Sequence, residues 1–87
     1  MLERQFTINN EQGLHARPAS LLVQAASQSK SSVLLIKEGK EYNAKSILGI
    51  MSVGAKKGDR ITIRTDGPDE IETDTKIEAL FKGNFGE

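Results

Sequence analysis

Leu2, Phe6 and Ile8 share one parity in a stretch that carries Arg4, Gln5 and Thr7 between them, the period-two pattern of a half-buried strand over residues 2–8. After the polar loop Asn9 to Gly13 the period changes. Ala19, Leu22, Val23 and Ala26 recur at spacings of three and four, which predicts an amphipathic helix over residues 16–27. Ser27 to Ser32 is a polar break. Val33 to Ile36 and Lys40 to Asn43 then flank Glu38-Gly39, whose glycine supplies the positive φ of a tight hairpin turn. Ser46 offers an oxygen to the free amides of a short helix from Ile47 to Val53, and Gly54 suits the left-handed residue that closes it. Ile61 and Ile63 alternate with polar neighbours in a last strand from Asp59 to Thr65. Pro68 with Asp69, Glu70 and Glu72 opens a final helix that Gly83 ends. Its stripe of Thr73, Asp74, Ile77, Leu80 and Phe81 is polar in its first half. That predicts fraying at its start, with Asp74 either finding a partner or tilting to solvent.

This order of elements, βαββαβα, predicts an α+β domain: a four-stranded, mostly antiparallel sheet covered on one face by three helices. With 87 residues and no internal repeat or linker, one domain spanning 1–87 is expected. Twelve Lys plus Arg balance twelve Asp plus Glu, so no basic excess points to direct nucleic-acid recognition. The longest apolar run is Val33 to Ile36, and Met1-Leu2-Glu3-Arg4 begins no signal peptide, so a cytoplasmic chain without membrane insertion is expected. No cysteine and one histidine argue against a metal site, and nothing in the sequence calls for a cofactor. A monomer is the default.

The stretch Gly13-Leu14-His15-Ala16-Arg17-Pro18-Ala19-Ser20 adds chemistry to this scaffold, because it sets the only imidazole, a guanidinium and a proline at the start of a helix. First-turn amides have no intrahelical partner, and with the helix dipole they favour an anion such as phosphate. Pro18 has no N–H, the remaining donors point outward, and Ala16 and Arg17 are the candidate phosphate-binding residues. His15 sits where the anion would be held. A neutral imidazole is a nucleophile near neutral pH, and a phosphoimidazole is labile enough to pass its phosphoryl on. Arg17 supplies permanent charge for the phosphoryl oxygens. A lone histidine at a helix start is otherwise a capping or surface residue, but that reading leaves the neighbouring arginine without a role.

The stretch Gly-Leu-His-Ala-Arg-Pro-Ala closely resembles the active-site signature of the HPr family, histidine-containing phosphocarriers of the bacterial phosphoenolpyruvate-dependent sugar phosphotransferase system. The resemblance covers nearly the whole chain and implies the open-faced β-sandwich of that family. It implies that His15 is phosphorylated on Nδ1 by enzyme I and donates to the IIA domains of sugar permeases. Arg17 matches the family's active-site arginine, and Pro18 its helix-start proline. His15 and Arg17 are thus the candidate catalytic residues, the rest of the machinery lying on partner kinases.

The helix after Ser46 carries more apolar surface than one sheet can cover. Ile50 and Val53 lie together, which turns Ile47, Leu48 and Met51 toward a second, partly exposed cluster suited to docking a partner. Burial between sheet and loop is the alternative. Asn43 to Ser52 is similar to the regulatory segment of Gram-positive HPr, whose serine is phosphorylated by HPr kinase/phosphorylase. The resemblance implies phosphorylation of Ser46 and binding to a catabolite-control transcription regulator. A mainly regulatory protein like Crh keeps the serine but has glutamine for the active-site histidine, so His15 argues against it. A non-catalytic anion-binding module is the remaining rival. Gln12 fills a loop position where a smaller residue is expected.

Overall fold

In a computed structural model that describes residues 1–87, the alternating apolar positions become one face of a four-stranded sheet. Its strands are β1 (Leu2–Thr7), β2 (Ser32–Lys37), β3 (Lys40–Asn43) and β4 (Arg60–Asp66), in the spatial order β1-β4-β2-β3. Every neighbouring pair is antiparallel, so the sheet is wholly rather than mostly so. The register sets Phe6 against Ile61 and Leu35 against Ile63 on the inner face. Helices α1 (Ala16–Ser27), α2 (Ile47–Met51) and α3 (Glu70–Lys82) cover that face. Leu22, Leu35, Ile50, Ile61, Ile63 and Ile77 meet in the resulting core, each buried side chain contributing roughly 1.5–3 kcal/mol. The outer face stays open and carries Arg64, whose guanidinium reaches Glu3 at 2.6 Å and Glu41 at 3.0 Å. This is an open-faced α+β sandwich.

Several boundaries move from their sequence-based positions, each for a local reason. The first strand ends at Thr7 rather than residue 8, yet buried Ile8 still exchanges bonds with the turn before β4, donating to Asp59 O and accepting from Gly58 N. The Asp59 carboxylate takes the Lys56 amide at 2.8 Å, which makes Asp59 part of that turn, so β4 runs from Arg60 to Asp66 instead of 59–65. The α2 helix stops at Met51 rather than Val53, because the Val53 amide turns back to Ile50 O and Gly54 follows at φ +68°. Pro68 lies in the turn before α3, which begins at Glu70.

The start of α3 is tied down instead of frayed. Thr73 and Asp74 are buried, and Thr73 Oγ1 donates to Ser29 Oγ at 2.7 Å. The Asp69 carboxylate accepts from the Ser29 hydroxyl, the Lys30 amide, and both the amide and the hydroxyl of Ser31. These donors, the Ser31 hydroxyl foremost, hold the Asp69 carboxyl far below the usual carboxylate range. Asp74 finds its partner in Arg4, which shares the inward parity of Leu2 and Phe6 and meets Asp74 at 2.7 Å and Glu78 at 2.8 Å. Beyond α3, the 3₁₀ turn Asn84–Gly86 folds buried Phe85 back against Phe81, their centroids 4.8 Å apart in an edge-to-face contact. Phe81 in turn stacks on Phe6 at 4.1 Å. Phe85 holds this place at φ +54°, a backbone region costing a non-glycine residue roughly 1–2 kcal/mol, so its packing must offset that strain.

Candidate functional site

The loop that delivers His15 is shaped by Gly13, at φ +68°, where a Cβ would lie 2.1 Å from the Ala55 carbonyl oxygen. Only glycine fits so close to that backbone. The Gly13 amide donates to Asn10 O at 2.9 Å and the Leu14 amide to Ala55 O at 3.1 Å. With Leu14 and Pro18 both buried, His15 is held between two anchors in the N-cap position of α1. Its carbonyl accepts the Ala19 amide at 3.0 Å, whereas its side chain caps nothing in the helix. The amides of Ala16 and Arg17 are therefore the open donors of this first turn, Pro18 having none.

The imidazole is about one-third exposed, and its Nε2 lies 2.8 Å from Glu87 Oε2. An ionised carboxylate only accepts, so the proton of the neutral ring belongs on Nε2 and the lone pair on Nδ1. The other Glu87 oxygen accepts from Asn10 Nδ2 at 2.6 Å, and the same Nδ2 donates to Asn84 O at 3.2 Å. Asn9, Glu11, Gln12, His15, Asn84 and Glu87 line an open cleft of about 430 Å³ with no apolar side chain in it. Gln12 is thus a wall of the cleft beside the ring. Glu11 is compensated by an ion pair with Lys57. Arg17, expected near the ring, is exposed on the first turn and pairs with no carboxylate.

Asn10, Asn84 and Glu87 are the neighbours of His15 that sequence reasoning missed. Asn10 is one polar residue of the loop Asn9 to Gly13, and its contact with Glu87 spans 77 positions. No local pattern announces such a pairing. No group of three or more His, Cys, Asp or Glu gathers where it could hold a metal ion. No helix is long and apolar enough to cross a membrane.

Ser46 stands at the N-cap of α2, its Oγ accepting the Gly49 amide at 3.0 Å, as its place in the sequence led one to expect. Ile50 and Val53 are buried while Ile47, Leu48 and Met51 are 42%, 80% and 44% exposed, an apolar cluster beside the serine. Since α2 packs against α1, the cluster and the histidine are carried by adjoining helices.

The family model for the PTS HPr component phosphorylation site matches residues 2–83. The phosphocarrier protein HPr of Treponema pallidum (strain Nichols) is 40% identical over 87 residues, covering 100% of this chain and 99% of that relative. The phosphocarrier protein HPr of Cupriavidus necator is 44% identical, covering 100% of this chain and 98% of that relative. Among solved structures, the crystal structure of HPr-C-His from Thermoanaerobacter tengcongensis is similar at a TM-score of 0.96 and 44% identity, covering 100% of this chain and 98% of the other.

Proposed function

The chain belongs to the HPr family, phosphocarriers of the sugar phosphotransferase system, and we propose that His15 is its phosphoryl-carrying residue, loaded by enzyme I and unloaded by IIA domains of sugar permeases. The observation that carries this reading is the engagement of His15 Nε2 by Glu87 at 2.8 Å, at the mouth of a helix with open amides. With its proton held on Nε2, the ring presents the Nδ1 lone pair as the nucleophile. In the transfer a bond forms between Nδ1 and phosphorus while the bond from phosphorus to the donor breaks. The Ala16 and Arg17 amides and the Arg17 guanidinium receive the phosphoryl oxygens. Apart from His15 the cleft is lined by carboxylates and amides, with no second imidazole, and in this reading the rest of the catalytic apparatus belongs to the partners. Incubation with enzyme I and phosphoenolpyruvate tests this. The intact protein should gain acid-labile, base-stable phosphate that His15→Ala lacks, and no uptake by the intact protein would sink the reading.

A second input is favoured by the placement of Ser46. Its hydroxyl caps α2 beside the exposed Ile47, Leu48 and Met51, which serve in this reading as the docking face for partners. Phosphorylation by HPr kinase/phosphorylase would add a charge of about −1.5 to −2 at a helix start, where the fold tolerates it and phosphate oxygens can take over the Gly49 amide. The same charge opposes an acidic partner such as enzyme I and offers a contact to a basic one such as the catabolite-control transcription regulator. His15 would carry phosphoryl groups and Ser46 would decide which partner approaches.

A further inference from the structure

Asn10 is 2% exposed, yet both bonds made by its Nδ2 run toward the histidine cleft, one to Asn84 O at 3.2 Å and one to Glu87 Oε1 at 2.6 Å. Burying an amide is favourable only when it is fully used, and here it is used to hold another residue's carboxylate. The Asn10 carbonyl also accepts the Gly13 amide at 2.9 Å, so one residue both shapes the loop that bears His15 and grips Glu87. On the far side, buried Phe85 anchors the turn from which Glu87 extends, and the Glu87 amide donates to Asn84 O at 3.0 Å. Glu87 is therefore fixed at its side chain and at its backbone.

We infer that Asn10 and Glu87 form a positioning relay, in which the buried amide fixes the carboxylate and the carboxylate fixes the imidazole with its proton on Nε2 and its lone pair on Nδ1. The inference rests on His15 being the carrier and adds the residues that aim it. The other charged group lining the cleft is Glu11, neutralised by Lys57, so Glu87 is the one uncompensated carboxylate at Nε2. During loading, Nδ1 gains the phosphoryl and Nε2 keeps its proton, which leaves a positive charge on the ring. Glu87 balances that charge without any proton having to move. Asn10 touches neither ring nor phosphoryl, so its effect passes through Glu87.

The relay is tested by NMR of the His15 ring together with the rate of loading by enzyme I, in Glu87→Ala, Asn10→Ala and the double variant. The intact protein should show an Nε2–H resonance shifted downfield and slowed in solvent exchange, and both single variants should lose it. Each should slow loading about ten- to hundredfold, the worth of one charge-assisted hydrogen bond. The double variant should be no slower than the slower single, because the two residues act in series. Melting temperature identifies any part of the Asn10→Ala effect that is loss of fold. An Nε2–H resonance that persists in Glu87→Ala overturns the relay. So do slowed loading in Asn10→Ala with that resonance intact, and rate losses that multiply in the double variant. If the intact protein takes up no phosphate, it is the carrier role that fails, and the resonance still reports on the contact.

Discussion

His15 and Asp69 are the residues that start α1 and α3, and neither turns its side chain on its own helix. They lie at opposite ends of α1, since Asp69 meets Ser29, Lys30 and Ser31 just beyond the last turn of that helix. At Asp69 every polar group is spent: four donors converge on one carboxylate, and Thr73 closes the cluster from behind. At His15 the polar groups are left over, with two open amides, an unpaired guanidinium and a ring held from one side only. Saturated hydrogen bonds stabilise a fold and leave nothing to offer a ligand. The unsaturated pole is where chemistry remains available, and the saturated one contributes the stability that lets it stay so.

The largest effect that would break this contrast is expected from Asp69→Asn. The amide keeps the size but turns an N–H₂ toward donors that need an acceptor, so several bonds fail together. Thermal unfolding should show a melting temperature lower by roughly 5–10 °C, while loading of His15 at low temperature stays within about twofold because the sites are far apart. The sign of the pH effect follows from the depressed Asp69 pKa. A carboxylate whose folded pKa lies below its unfolded value of about 3.9 stabilises the fold above that pH, and the contribution drains away as pH falls toward the depressed value. Acid melting curves should therefore be shallower in Asp69→Asn than in the intact protein, with Asp59, also held low by the Lys56 amide, accounting for part of what remains. Equal acid sensitivity in the two would show that Asp69 is not the anchor.

The two poles also differ in how far the sequence reveals them. The α1 helix begins and ends where the spacing of Ala19, Leu22, Val23 and Ala26 says it should, and the Ser46 cap is in place, because period and cap are properties of neighbours along the chain. The placement of His15 at the start of α1 was legible for the same reason. The contacts that hold each pole were not. Asp69 looked like an acid favoured by its own helix dipole, but its side chain serves a loop 38–40 positions away. Arg4 was read as one of the polar residues of a strand, although its parity already pointed it inward at Asp74. Glu87 and Asn10 meet across the longest gap of all. Phe85 reaches its pocket through a left-handed backbone that no propensity favours, so tertiary packing overrides the local preference there.

A smaller effect is expected from Ser46→Asp, which places charge near the unsaturated pole without touching it. Aspartate is as good an N-cap as serine, so α2 should persist and the melting temperature should move by no more than about 2 °C. Loading by enzyme I should slow roughly tenfold, since one carboxylate beside Ile47 and Leu48 meets an acidic partner with like charge. Raising the salt concentration should recover part of the rate, because exposed charges are screened. An unchanged rate would separate Ser46 from the docking face.

The smallest effect sharpens the contrast most, because it concerns a residue that belongs to neither cluster. Met51 is 44% exposed on α2 while Ile50 beside it is 1% exposed, so truncating Met51 removes surface that the core does not use. Met51→Ala should cost less than about 1 kcal/mol of stability, the range of a partly exposed site. If Ile47, Leu48 and Met51 receive a partner, the same truncation should weaken binding of enzyme I about three- to tenfold in titration calorimetry, because the thioether is buried only in the complex. Loss of stability without loss of binding would place Met51 with the core. Loss of binding alone would mean that the face next to His15, like the histidine itself, contributes little to the fold and is complete only when a partner covers it.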